Sequence, residues 1–404
     1  MPDLAALIER APRWLRRWIT RTLAGQGFIG SAADAVRFRY SERDIPEVPP
    51  LRDADIRLLI GPANEAGQGA EWGRAVESYV PRAAAVAMRG IGTDPFQPRV
   101  DLTVPVAVYQ RSSAWHGAFE EFLREQTHVI WESGFPLLGR RYRCRIDVEI
   151  EELSLFGVRG ALLFHGSDIR PPTRHARANP WSPFSLGEGI TAMLEEIAAK
   201  NSKLAAQAGV PVFVTTPDLL QWVPGSVWCP VVVDSQRWQA AANKHSSAGG
   251  LPVVVHAPSN PWIKGTDRIE PVLRRLEAEG LIEYRQIVGV PHAAMPDFYA
   301  AADIVLDQFR IGSYGIAACE AMAAGRLVMG HIDQPTRQQV KVHTGLDLPI
   351  HEATIDSLEQ EIRQAVADPD VLHELRAAGP RFVDAVHSGK RSVGAMSSFL
   401  GLNA

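Results

Sequence analysis

Short apolar runs followed by helix-like stretches recur along most of this chain, and that alternation limits what it can fold into. Residues 56–60 form an apolar run closed by Gly61. The lack of a polar face predicts a parallel strand buried on both sides. Residues 61–69, GPANEAGQG, read as a loop, and a helix begins over 72–79. Further strands are predicted over 83–88, 103–109, 127–131, 160–164 and 210–215, with helices such as 118–125 and 189–206 between several of them. The proline-containing segment 222–234 ends this set, and a polar, glycine-rich stretch follows at 243–250. A second set then begins. Strands over 253–255, 282–288, 303–306 and 327–330 alternate with helices over 270–279, 295–301 and 316–324. This pattern predicts an α/β protein with two Rossmann-like, doubly wound domains facing a cleft.

With 404 residues the chain is too long for one ordinary core. The expected division is a basic amphipathic extension (1–45), a first Rossmann-like domain (46–235), a second (236–385), and a C-terminal helix (386–404) packing back on the first. Hydrophobic residues make up 46% and charged residues 22%, as in an average globular domain, which excludes a disordered chain. A net charge of -4 gives no reason to expect a nucleic-acid partner. Cys144, Cys229 and Cys319 are widely spaced and form no CxxC, so free, reduced thiols are expected. No run approaches the roughly 20 apolar residues that span a bilayer, and no signal-peptide apolar region is present. Residues 4–23 place leucines, isoleucines and Trp18 at helical spacing among five arginines, with Pro12 interrupting them. Such a helix suits a peripheral contact at the inner face of a membrane, and equally a seat on the protein's own surface. The expected location is cytoplasmic.

In open parallel sheets ligands sit beyond the C-terminal strand ends, so the candidate residues are those that follow strands. After strand 303–306 comes the turn Gly312, Ser313, Tyr314, Gly315, and then a helix. Glycines at a helix start let backbone N–H groups approach an anion, which the helix dipole favours. Glu320 lies one turn in, among alanines, Cys319 and Met322. A carboxylate there needs a partner. Ligand hydroxyls would supply one, and so would a basic side chain such as Arg326. After strand 253–255 come Ser259, Asn260 and Lys264. Lys264 is placed to neutralise a bound phosphate, or is a solvated surface lysine. After strand 160–164 come His165 and Asp168, suited to hold a ligand hydroxyl or move a proton, or to hydrogen-bond a loop. Glu132 closes strand 127–131. Asn64, Gly67 and Gln68 lie in the loop after strand 56–60, where a second substrate could approach, although the loop is not GxGxxG. Asp53 and Asp55 form a D-x-D, but they precede their strand, at the edge away from ligands. No HExxH, P-loop or metal constellation is found, so no metal or cofactor is expected.

Taken together, these stretches resemble the retaining glycosyltransferases of the GT-B fold, the family-four-like group that includes sucrose synthases and bacterial mannosyltransferases. The resemblance covers residues 251–330 and is carried by the stretch from VPHAAMPDFYAAADIVLDQF through GSYGIAACEAMAAGRLVMG, which is similar to their donor-site signature. It extends more loosely over 56–164, and does not reach the segments before Asp53 or after His351. The resemblance implies transfer of a sugar from a nucleotide-sugar co-substrate to an acceptor, with retention and without an essential metal. It implies that Lys264 binds the diphosphate, Glu320 the donor ribose, and His165 the sugar. Two departures stand out. Gly312 occupies the place of the family's first glutamate, eight positions before Glu320. The basic residue that usually precedes the lysine is also missing, with Ser259 and Asn260 in that region. These departures keep open a non-catalytic GT-B module that binds a nucleotide sugar. A sugar-nucleotide epimerase is a further alternative, although only His165, Asp168 and Glu132 stand near strand ends as acids or bases.

Overall fold

The computed structural model describes residues 39–91, 98–185, 188–243, 250–368 and 373–402. The basic segment 4–23 lies outside the described residues. The first half runs β1 (Ile56–Gly61), α1 (Gln68–Tyr79), β2 (Ala83–Arg89), β3 (Leu102–Thr103), α2 (Val106–Arg111), α3 (Ser113–Arg124), β4 (His128–Glu132), α4 (Ile146–Ser154), β5 (Arg159–Phe164), α5 (Pro172–Ala178), α6 (Glu188–Gln207), β6 (Val212–Val214) and β7 (Val227–Trp228). The second runs α7 (Ser235–Ala242), β8 (Val253–His256), α8 (Pro261–Lys264), α9 (Thr266–Ala278), β9 (Glu283–Gln286), α10 (Met295–Ala300), β10 (Ile304–Leu306), α11 (Ile316–Ala323), β11 (Leu327–Gly330), α12 (Gln334–Thr344), β12 (His351–Glu352), α13 (Leu358–Ala367), α14 (His373–Val386) and α15 (Lys390–Leu400).

The strands form two parallel sheets, ordered β3-β2-β1-β4-β5-β6-β7 and β12-β11-β10-β8-β9. Parallel strands covered on both faces need apolar side chains on both faces. Leu58, Leu59 and Ile60 of β1 and Val254 and Val255 of β8 are accordingly buried. The order reverses between β1 and β4 in one sheet and between β8 and β10 in the other. Crevices open at such reversals, beyond the carboxyl ends of the strands.

The run 103–109 is not a strand. β3 stops at Thr103, and α2 follows with Pro105 at its N-cap. Proline cannot donate to a ladder and presets the φ of a helix start. The valines at 104, 106 and 108 alternate as in a strand, but Val104 precedes the helix and Val106 is exposed, so of the three only Val108 lies on the buried helix face.

The chain passes between the domains twice. The first passage, around Cys229–Asp234, leads into α7, and the second, around Val386–Gly389, leads into α15. The two passages are bonded to each other: Val233 N–H donates to His387 O at 2.8 Å, and His387 Nδ1 lies 2.8 Å from Val231 O. Beyond them α15 packs on the first domain, with Val393, Met396, Phe399 and Leu400 in one core with Leu58 and Trp72. A further clasp runs from the α5 region to the second domain, where His175 Nε2 lies 3.0 Å from Ile311 O and Asn179 Nδ2 donates to Arg310 O at 3.2 Å. Among the described residues no helix is long and apolar enough to cross a membrane.

Candidate active site

Two adjoining cavities lie between the domains. The smaller, about 270 Å³, is lined by Gly67, Gln68 and Arg74 from the first domain and by Arg237, His292 and Glu320 from the second. The larger, about 370 Å³, is lined by His165, Asp168 and Arg170 facing Ser313, Tyr314 and Gly315. Their seam is formed by consecutive residues: Glu65 and Gly315 line one cavity, Ala66 and Ile316 the other. The start of α11 therefore sits where the two cavities meet. Its N-cap, Gly315, brings no side chain to cover the first turn.

Glu320, one turn into α11, is buried, and its Oε1 lies 2.6 Å from His292 Nε2. Arg326, the alternative partner, instead donates to the Ala324 and Ala302 carbonyls. Arg237 secures the loop that carries His292, since its Nη2 donates to His292 O and Ala293 O at 3.1 Å each. His292 follows β9 and was missed in the sequence. The signal that found His165, a histidine just after a strand, applies to it as well.

In the larger cavity His165 Nε2 lies 3.2 Å from Glu132 Oε1, and the ring stacks on Trp72 at 5.9 Å. Burial disfavours the charged ring, but the Glu132 hydrogen bond and charge outweigh it and raise the His165 pKa. Glu132 is fully buried behind His165, and its other oxygen takes the Ala63 and Asn64 N–H groups at 3.1 and 2.7 Å. It orients the site and does not line it. Asp168 accepts from the His165 and Gly166 N–H groups and so holds the turn. Arg170 is ion-paired with buried Asp218 at 2.6 Å. Burial alone would raise the Asp218 carboxyl, but the Arg170 charge holds it low.

Several expected residues stand outside the cavities or are held by the protein's own groups. Lys264 is neither a surface lysine nor a cavity residue. It is buried, with Nζ 2.7 Å from Asp307 Oδ1, and it lines neither cavity. The other Asp307 oxygen accepts the Gly315 N–H at 3.1 Å. An internal carboxylate thus bridges the lysine and the turn that were expected to meet a phosphate. Ser259 is exposed, and Asn260 caps the short α8 by accepting from Ile263 N–H. Both lie outside the cavities. Gly312 has φ +74°, and a Cβ there would stand 3.0 Å from Asp333 Oδ2. A glutamate at that position would strain the backbone and crowd Asp333. Tyr314 is buried, its hydroxyl 3.3 Å from His387 Nε2. Asn64 is an internal brace, its Oδ1 taking the Ala70 N–H and its Nδ2 donating to Arg99 O. Gln68 exchanges two hydrogen bonds with the Val232 backbone, tying α1 to the first interdomain passage. Asp53 and Asp55 pair with Arg82 in solvent, at the edge of β1 away from the cleft. Among the described residues no three His, Cys, Asp or Glu side chains group as a metal site.

No family model matches the sequence, and no curated protein matches it. Solved structures match the fold along most of the chain. Sucrose-phosphate synthase from Thermosynechococcus elongatus is 15% identical, with a TM-score of 0.55 over 85% of this chain and 97% of that one. The Anabaena protein HepE in complex with UDP and glucose is 12% identical, with a TM-score of 0.54 over 85% and 99%. The catalytic domain of starch synthase IV from Arabidopsis thaliana, bound to ADP and acarbose, is 9% identical, with a TM-score of 0.53 over 87% and 100%. The chain has the GT-B fold of these proteins, two Rossmann-like domains facing each other across the cleft that holds both cavities.

Proposed function

We propose that the protein transfers a sugar from a nucleoside-diphosphate sugar to an acceptor, with retention and without an essential metal ion. The observation that carries this reading is the start of α11, which opens at the seam of the two cavities with Glu320 on one side and His165 on the other. On this reading the ribose lies by Glu320 in the smaller cavity and the phosphates lie at the helix start. The sugar lies by His165 in the larger one, where the acceptor enters. Bond cleavage leaves negative charge on the diphosphate, which the helix dipole favours. The raised pKa of His165 suits it to donate a hydrogen bond to a sugar hydroxyl. HepE carries UDP and glucose, which makes UDP-sugars the first donors to assay.

The test is incubation with radiolabelled nucleotide sugars and detection of free nucleoside diphosphate. Release by the wild type, and its loss in Glu320→Ala, is the expected result. The configuration of the released or transferred sugar, read by NMR, tests retention. A second reading, a nucleotide-sugar binding module without turnover, is favoured by the Lys264–Asp307 pair and by the lack of a carboxylate at Gly312. Donor binding without diphosphate release would select it. We further propose a cytoplasmic location, with residues 4–23 as a peripheral membrane contact, which vesicle sedimentation with and without that segment tests.

A further inference from the structure

A departing diphosphate calls for cations, and the residues expected to supply them do not face the cleft. Lys264 is closed off by Asp307, and Ser259 and Asn260 are uncharged. Four arginines line the two cavities. Arg170, in the larger one, is already matched by Asp218. Arg74, Arg99 and Arg237 line the smaller one, together with Glu71, Asp234 and Glu320.

These three come from both sides of the cleft. Arg74 stands on α1, Arg99 on the segment before β3, and Arg237 on α7. Arg237 donates to two carbonyls and makes no ion pair among the described residues, although Asp234 lines the same cavity. Arg99 makes no ion pair among the described residues. Arg74 is paired with Glu71 in partial exposure. Burial first, then the charge of Arg99 and more weakly that of Arg237, lower the Arg74 pKa, partly offset by Asp234 and Asp101. Glu71 pairs with Arg74 and Asp234 offsets its charge in part, while the repulsion between Arg74 and Arg99 remains for a bound anion to relieve. Two helices also begin here, with Gly67 at the start of α1 and Ile316 at the start of α11, and their dipoles add positive potential.

We propose that Arg74 and Arg99 of the first domain, with Arg237 of the second, form an anion clamp across the cleft that takes the phosphates of the donor. This rests on the donor reading above and reassigns its phosphate contacts. Two cations of the opposite domain replace the basic residue absent at 259–260. Anion binding would then draw the domains together, because the charges that hold one ligand stand on both.

The test is calorimetry on the full chain with inorganic pyrophosphate and with UDP, ADP and GDP. The variants are Arg74→Gln, Arg99→Gln, the double Arg74→Gln/Arg99→Gln, and Glu320→Gln. The wild type is expected to bind pyrophosphate, less tightly as salt rises. Each arginine variant is expected to weaken that binding by about tenfold, as for a lost charge-assisted contact. Glu320→Gln, which removes a negative charge beside the clamp, should not weaken pyrophosphate binding while weakening that of a nucleoside diphosphate. If a nucleoside diphosphate binds and the double variant binds it equally well, the clamp is wrong and the donor reading survives. If pyrophosphate binds through the arginines but no nucleoside diphosphate gains affinity from Glu320, the clamp stands and the donor reading fails. A wild type that binds neither ligand overturns both. Unchanged circular dichroism in the variants confirms that a loss of affinity is not a loss of fold.

Discussion

Lys264 Nζ stands 2.7 Å from Asp307 Oδ1, and the other oxygen of that carboxylate holds the Gly315 N–H at 3.1 Å. The pair joins the end of α8 to the end of β10 and fixes the turn before α11. Each charge is buried and depends on the other. Removing one alone leaves an uncompensated buried ion, at a cost of about 3 kcal/mol or more. Lys264→Ala and Asp307→Ala should therefore each lower the unfolding free energy by that order, and the double variant should lose less than the sum. Denaturant unfolding of the four-protein cycle checks this. Additive losses would mean that the pair is uncoupled.

Gly312→Glu, which would place there the glutamate of the family that the sequence resembles, should destabilise and add no activity. The backbone there has φ +74°, and a Cβ would meet Asp333 Oδ2 at 3.0 Å and Asn179 Nδ2 at 3.2 Å. A side chain held in the left-handed region costs about 1–3 kcal/mol before any clash, and a second carboxylate beside Asp333 adds repulsion. A lower Tm with no gain in donor turnover is expected; higher turnover would contradict it.

If Glu320 holds ribose hydroxyls, the wild type should bind a ribonucleoside diphosphate more tightly than its 2′-deoxy counterpart. Glu320→Ala should shrink that ratio by about tenfold, since a hydrogen bond to a charged group contributes that order. His292→Gln should shrink it less, because the carboxylate remains. Calorimetry with matched ribo and deoxy ligands reads the ratio directly, and equal ratios in wild type and Glu320→Ala would remove the ribose role.

Stability should fall in mild acid. Burial holds the pKa values of His128, His175, His256 and His387 down to about 4. Their unfolded values are about 6.5. Between those limits the unfolded chain binds more protons than the folded one, so stability present above pH 6.5 is lost as pH falls toward 4. Each proton contributes about 1.4 kcal/mol per pH unit. Glu149, pushed up to about 7 by burial, acts in the opposite sense with one proton over much of the same window. Net proton uptake on unfolding remains. Denaturant midpoints measured from pH 4.5 to 7.5 should rise across the range, and a flat profile would refute the assignment.

The two sheets were legible because their central strands are buried and rich in consecutive apolar residues. β10 is wholly apolar, β1 carries only Arg57 near its start, and β8 only His256 at its end. The glycine turn before α11 was legible for a related reason: a backbone that must turn sharply toward a helix start leaves glycines in the sequence. The run 103–109 misled because valines at every second position imitate a strand, while Pro105 opens a helix there. The pairings were not legible. Lys264 and Asp307 lie 43 positions apart, and His292 and Glu320 lie 28 apart. Nothing local to either member names the other. Arg74, Arg99 and Arg237 likewise converge only once α1 and α7 face each other across the cleft.

The two peptide passages between the halves lie side by side and are laced together by His387, Val231 and Val233. A body hung on a single cord can tumble, whereas one hung on two adjacent cords can only swing. Any widening of the cleft about the line through these residues must therefore also part the clasp from His175 and Asn179 to Ile311 and Arg310. Severing the chain after Val386 would remove one cord and free the motion, turning a door into a pendulum.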